Sequence, residues 1–179
     1  NEGKDDLDGG KGIDTADYSS DGGTGGVSVD LNTGKATDSY GDTDTLTSIE
    51  NVIGTDENDE IIGDDYNNKL EGNDGNDTIV GNGGKDNING GDGNDTVNGG
   101  LGDDEVNGDD GDDLLRGLED NDVLNGGDGN DDLRGNDGED TLNGDDGDDV
   151  LRGQGDDDEI NGGAGNDTAF GGLGDDLIF

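Results

Sequence analysis

The sequence contains no cysteine, proline, histidine, methionine or tryptophan in its 179 residues, and only 3% of it is aromatic. Without cysteine no disulfide can staple a thin fold. Without histidine or cysteine the usual nucleophile–base pairs cannot be assembled, and zinc and copper lose their preferred ligands. Apolar residues make up only 22%, and no run of them approaches the roughly 18 that a membrane helix needs. Basic residues are few as well: 8 Lys and Arg face 51 Asp and Glu, for a formal net charge of -43. Such a chain repels nucleic acids and anionic membrane surfaces, and attracts cations and basic proteins. No signal-peptide pattern is visible and residue 1 is Asn, so the sequence reads as a fragment or a processed product. Composition alone favours a disordered acidic segment.

What the chain has in abundance is glycine, 41 residues of it, and a strict period. From Gly54 to Phe179 it divides into 14 units of nine residues without insertion or deletion. Position 1 is Gly in all 14, position 4 is Gly in 10, and position 6 is Asp in 13, the exception being Asn68. Position 8 is apolar in all 14, from Ile61 and Leu70 through Leu115 and Leu151 to Ala169 and Ile178. A disordered tract has no reason to hold this register over 126 residues. The unit reads G-[GND]-x-G-x-D-x-U-x, with U apolar, as in GGDGNDTVN at 90–98 and GGAGNDTAF at 162–170.

The first six residues of the unit are turn formers, and position 2 is Gly, Asn or Asp in 11 of 14 units, which predicts a positive φ there. The last three, x-U-x, predict a very short strand with U turned inward. One apolar side chain per nine residues is a thin core against backbone ordering and carboxylate repulsion. Something that binds only the folded state must contribute. A hard divalent cation suits carboxylate and carbonyl oxygens, and calcium suits flexible Gly-rich loops better than magnesium, which demands a strict octahedron. Roughly ten sites gaining about 1 kcal/mol each would supply about 10 kcal/mol, the stability of a whole domain.

Position 9 alternates. Asn89, Asn107, Asn125, Asn143 and Asn161 recur every 18 residues, and Arg116, Arg134 and Arg152 recur every 18 in the units between. An 18-residue turn would stack them as an Asn ladder on one sheet and an Arg ladder on the other, with Asn98 breaking the pattern. In so acidic a chain the arginines are expected to pair with neighbouring carboxylates. Sites should be weakest near 54–71, where Glu57, Tyr66 and Asn68 replace the usual residues, while Glu119-Asp120 and Gln154 mark two further irregular loops.

These repeats resemble the hemolysin-type, or RTX, calcium-binding nonapeptide family, closely over 54–179 and partly over 1–17. The resemblance implies an all-β fold: a right-handed parallel β-roll, or β-solenoid, of two short-stranded parallel sheets with about seven 18-residue turns. It implies calcium ions between stacked loops, held by position-6 side chains and loop carbonyls. Carried over, Asp77, Asp95, Asp113, Asp131, Asp149 and Asp167 line one edge, and Asp86, Asp104, Asp122, Asp140, Asp158 and Asp176 the other. The position-4 residues Gly75, Gly84, Gly93, Gly102, Gly111, Gly129, Gly138, Gly147, Gly165 and Gly174 belong to the same sites. It also implies a secreted or cell-surface protein exported by type I secretion machinery, of which this monomeric segment is one block, folding on calcium outside the cell. No membrane insertion and no enzyme activity are expected of the segment itself, whatever the parent carries. The alternative is a structural extender or a surface- or ice-binding solenoid of an adhesin, although Thr78, Thr96, Thr141 and Thr168 fall on both expected sheets rather than on one face.

Residues 1–17 hold partial repeats, with GGKGIDTAD at 9–17 placing Asp14 at position 6 and Ala16 at position 8. Residues 18–53 are expected as a non-repeat linker or cap with short strands. Val27, Val29 and Leu31 alternate there, and Leu46, Ile49, Val52 and Ile53 are candidates to cover an open end of the roll. The roll itself spans 54–179.

Overall fold

The computed structural model describes residues 3–179, and among them there are strands, turns and bends but no helix. The nonapeptide sets the architecture. A strand covers positions 7 to 9 and runs on through positions 1 to 3 of the next unit, as in Thr78–Gly83 and Thr96–Leu101. Each pairs in parallel with the strand two units away, so that Thr96 stands opposite Thr78 and Val97 opposite Ile79. Alternate units therefore fall into two sheets, one of eleven strands and one of nine. Two nonapeptides make one turn of a β-solenoid.

The strands are longer than the x-U-x that periodicity suggested, for a local reason. Pairing skips the position-1 glycine and resumes at positions 2 and 3, where Gly91 meets Asn73 and Asp92 meets Asp74. From Asn73 onward position 2 takes the left-handed conformation expected of it, with φ of 81° at Asn73 and 73° at Asp109, whereas Asp64 in the second unit does not. The chain thus turns the corner while still hydrogen-bonded to its neighbours. Leu118 and Gln154 adopt the same conformation, at 96° and 90°, against a steric cost of roughly 1–2 kcal/mol each. Position 1 must be glycine because a Cβ at Gly72 would lie 2.0 Å from Asp77 Oδ2 and 2.3 Å from the Gly90 carbonyl oxygen.

Position-8 side chains form the core in single file. The twelve from Ile61 to Ile160 are all 0% exposed. Ala169 is partly buried and Ile178 lies exposed, at the last rung.

The first part of the chain is woven into this stack. Its strands are β1 (Asp6–Asp8), β2 (Thr15–Asp17), β3 (Ser28–Asp30), β4 (Lys35–Thr37), β5 (Thr43–Thr47), β6 (Asn51–Ile53), β7 (Glu60–Ile62) and β8 (Lys69–Asp74). One sheet begins β2-β6-β8, and Ala16, Val52 and Leu70 stand in register, so residues 9–17 form a rung of the same column. The other sheet begins β1-β5-β4-β3-β7. Here β3, β4 and β5 pair antiparallel, the one departure from parallel pairing among the described residues, while β5 joins β1 and β3 joins β7 in parallel. Strands β3 to β5 thus lie between β1 and the repeats, and β6 lies between β2 and β8. Val29, Ala36 and Leu46 extend the core line, and the Val27 N–H donates to Asp59 Oδ1 at 2.7 Å.

The outer faces carry the ladders expected from position 9. Asn143 Nδ2 donates to Asn125 Oδ1, and Asn125 Nδ2 to Asn107 Oδ1, each at 2.8 Å. On the other sheet Arg116, Arg134 and Arg152 stand in register. Arg134 and Arg152 share the Asp132 carboxylate, at 2.8 and 2.6 Å. Arg116 donates to Asn98 Oδ1, and Arg152 lies 5.8 Å from the centre of the Phe170 ring.

Candidate metal centre

The position-6 aspartates are held by the stacking itself. Asp113 Oδ1 accepts the backbone N–H of Asp95 at 2.7 Å, and the Asp113 N–H donates to Asp131 Oδ1 at 2.8 Å. Repeated every 18 residues, this bond lines Asp77, Asp95, Asp113, Asp131, Asp149 and Asp167 along one edge. Asp86, Asp104, Asp122, Asp140, Asp158 and Asp176 line the other. These are the two rows that sequence assigned. Those from Asp77 to Asp158 are buried, and Asp167 and Asp176, on the last rung, are half-buried.

The second oxygen of each carboxylate has no such partner. In all ten residues from Asp77 to Asp158, Oδ2 is buried and receives no hydrogen bond. A buried acceptor left so costs on the order of 1–3 kcal/mol, more when charged. Desolvation dominates the resulting proton affinity. It pushes Asp122 up to about 8, with the Asp104 and Asp140 carboxylates above and below adding to the effect. Asp77, Asp104 and Asp113 are pushed up to about 7, and Asp86, Asp131, Asp140 and Asp158 to about 6, in each case mainly by burial. The backbone N–H bond opposes the rise without cancelling it. Two rows of carboxylates thus await either protons or cations.

Backbone carbonyls line the same loops. A Cβ at Gly93 would fall 1.7 Å from the Gly75 carbonyl oxygen, and one at Gly111 or Gly129 would fall 1.9 Å from the corresponding oxygen one turn before. Position-4 carbonyls therefore point along the stack at the next glycine. Gly75, Gly84, Gly93, Gly102, Gly111, Gly129, Gly138, Gly147, Gly165 and Gly174 all have positive φ. The donor set is all oxygen, with no nitrogen or sulfur ligand, and this fits a hard cation. Among the described residues no three acidic side chains converge on one point. Each loop brings one position-6 carboxylate, so an ion held here would draw on loop carbonyls as well.

Asn68 shows what the missing charge changes. Its Oδ1 accepts the Asp64 N–H at 2.8 Å, and its Nδ2 donates to the Glu50 carbonyl at 2.7 Å. An amide supplies its own donor, and the loop closes without an orphaned oxygen. Glu57 and Tyr66, at position 4 in the first two units, are not among the positive-φ residues. Sequence reasoning passed over position 5, which is Asn or Asp in 12 of 14 units. The Asn94 N–H donates to Asn76 Oδ1 at 2.7 Å and the Asn130 N–H to Asp112 Oδ1 at 2.8 Å. Position 5 thus accepts from the following turn, whereas position 6 accepts from the preceding one, and together they fix the loop spacing.

A family profile described as the RTX calcium-binding nonapeptide repeat (4 copies) matches residues 1–16, 53–88, 71–106, 80–115, 107–142 and 143–178. A comparison with curated proteins finds no match. The matched segments cover most of the chain, and the loops they cover carry the orphaned carboxylates and aligned carbonyls, so the chain belongs to the RTX calcium-binding nonapeptide repeat family and is a calcium-binding repeat module.

Proposed function

We propose that this module folds when it meets calcium outside the cell, and that it thereby supports the export and folding of a larger protein passed through type I secretion machinery. The observation that carries the reading is the set of ten buried Oδ2 atoms without a donor, stacked beside a core one side chain wide. The position-6 aspartates from Asp77 to Asp176 and the position-4 carbonyls from Gly75 to Gly174 would hold the ions, roughly ten in number if each stacked pair of loops takes one. Calcium, when bound, supplies the positive charge that these oxygens lack.

The rest follows from the chain. At neutral pH and low calcium, 51 acidic residues repel one another, and the core alone is too thin to oppose them. The polypeptide stays extended, a form suited to threading through a secretion channel. In calcium-rich surroundings the stack closes. Chemistry is assigned to the parent protein, and none to this segment. Far-UV circular dichroism tests the proposal: the β signal should develop with millimolar calcium, be erased by chelator, and fail to develop with equimolar magnesium. A metal-stripped chain that keeps its β signal at pH 7.5 would defeat it.

A further inference from the structure

From Gly72 onward, the two loops whose sequences break the repeat lie on the same edge, two turns apart, beside two adjoining clefts. In the first, Leu118 and Asp120 stand at positions 2 and 4 with φ of 96° and 75°. In the second, Gln154 and Asp156 stand at the same positions with φ of 90° and 64°. From Gly72 onward, the other units place Gly, Asn or Asp at position 2 and Gly at position 4. These departures strain the backbone and leave the position-6 ladder as it is, while Asp120 Oδ2 accepts the Gly102 N–H at 3.1 Å and Gln154 Nε2 donates to Asn136 Oδ1 at 2.6 Å. Asp122 and Asp158, in these same loops, accept the preceding N–H as every other rung does, at 2.8 and 3.0 Å.

What the departures change is the outer surface. Leu118 lies between Gly100 and Asn136 in register, and Glu119 between Leu101 and Asp137. Val80, Leu101 and Leu118 form the apolar lining of a groove of about 450 Å3. Leu101 is 55% exposed and Leu118 36%, although the chain has few apolar side chains to spare. A second cleft of about 340 Å3, lined by Glu119, Asp120, Asp137 and Asp156, shares Glu119 and Asp137 with the first. An apolar groove therefore opens directly into an acidic one.

We propose that this bipartite groove docks an extended segment of a partner polypeptide that carries an aliphatic side chain next to a lysine or arginine. The aliphatic group covers Leu101 and Leu118, and the basic group enters among the four carboxylates. Charge complementarity decides the occupant, because a second copy of a chain with net charge -43 brings few cations of its own.

The test uses the whole 15N-labelled chain in saturating calcium and near-physiological salt, titrated with the peptide acetyl-Lys-Leu-Arg-Leu-Lys-amide. Saturable amide shifts are expected around residues 80–82, 100–102, 118–121, 136–138 and 154–157. Binding should weaken about tenfold in Leu118→Asn and about fivefold in the double variant Glu119→Gln, Asp137→Asn. Asn is a residue that other units already hold at this φ, so Leu118→Asn retains the calcium-dependent dichroism and a loss of binding is not a loss of fold. Four outcomes would each overturn the proposal: shifts spread along both acidic edges, equal binding of a peptide with serine in place of leucine, unchanged affinity in Leu118→Asn, or self-association of the peptide-free chain through this groove.

Discussion

The orphaned carboxylates make acid a substitute for calcium. In the metal-free fold Asp122 is pushed up to about 8 and Asp77, Asp104 and Asp113 to about 7, from an ordinary 3.8. Each tenfold difference in proton affinity corresponds to about 1.4 kcal/mol, so ionising Asp122 costs the metal-free fold several kcal/mol, part of it repulsion shared with Asp104 and Asp140. The sign follows from the folded value lying above the unfolded one. The stability is fully present below about pH 4 and is lost as pH rises through 6 to 8. The perturbation is therefore acidification of the chelated chain at constant ionic strength, followed by far-UV dichroism at low concentration. A chain unstructured at pH 8 should gain β signal as pH falls to 5. With calcium present the dependence reverses, because protons and metal compete for the same oxygens: the calcium midpoint should rise as pH drops from 8 to 6. A chelated chain whose spectrum is identical at pH 8 and pH 5 would show that the buried carboxylates are not what holds the metal-free state open.

Other substitutions should separate the parts of the repeat. Asp113→Ala removes a carboxylate at mid-stack and the acceptor of the Asp95 N–H, so the calcium midpoint should rise several-fold, whereas Asp176→Ala, half-buried on the last rung, should change it little; a calcium titration followed by dichroism compares them. Gly108→Ala would put a Cβ 2.1 Å from Asp113 Oδ2 and 2.5 Å from the Gly126 carbonyl oxygen, which should cost about 2–3 kcal/mol in denaturant melts at saturating calcium. Leu118→Gly relieves a leucine held at a φ of 96° and should stabilise the calcium-loaded roll by up to about 1 kcal/mol in the same melts. Asn68→Asp replaces the amide that donates to the Glu50 carbonyl with an acceptor. It should destabilise the metal-free roll at neutral pH while lengthening the calcium column by one carboxylate, seen as an added ion in equilibrium dialysis.

Much of this was legible in the sequence because the repeat states each requirement many times over. Fourteen apolar residues at position 8 announced the core, and the left-handed corner at position 2 followed from Asn73, Gly91 and Asp109. The alternation of Asn125 with Arg116 and Arg134 announced the 18-residue turn. Less visible were features that depend on contacts between turns. Position 5 varies among Asn and Asp, and its role emerges only once Asn76 Oδ1 is seen under the Asn94 N–H. The extra reach of each strand depends on pairing that resumes beyond the position-1 glycine, a bond pattern that alternation does not encode. Residues 18–53 carry no period, so nothing in Val27, Val29 or Leu31 fixed where their strands would insert. The Val27 N–H found Asp59 Oδ1, an acceptor that in the repeats serves the preceding turn. Similarly, Glu119-Asp120 and Gln154 were visible as irregular, but the groove that Leu118 lines and the acidic cleft that Asp156 joins needed the stack.

The loops and the sheets count differently, and this limits how the molecule can change length. Position-6 carboxylates follow one another on both edges, so a deletion of nine residues leaves each loop with a suitable neighbour. The outer faces repeat only every 18: Arg134 stands on Arg116, and Asn143 on Asn125. Loss of a single nonapeptide would slide arginines under asparagines and exchange the two sheets for everything downstream, whereas loss of two would leave every ladder intact. Viable insertions and deletions in such a chain should therefore come in whole turns, and the roll can be lengthened or shortened like a ruler marked in one unit but cut only in pairs.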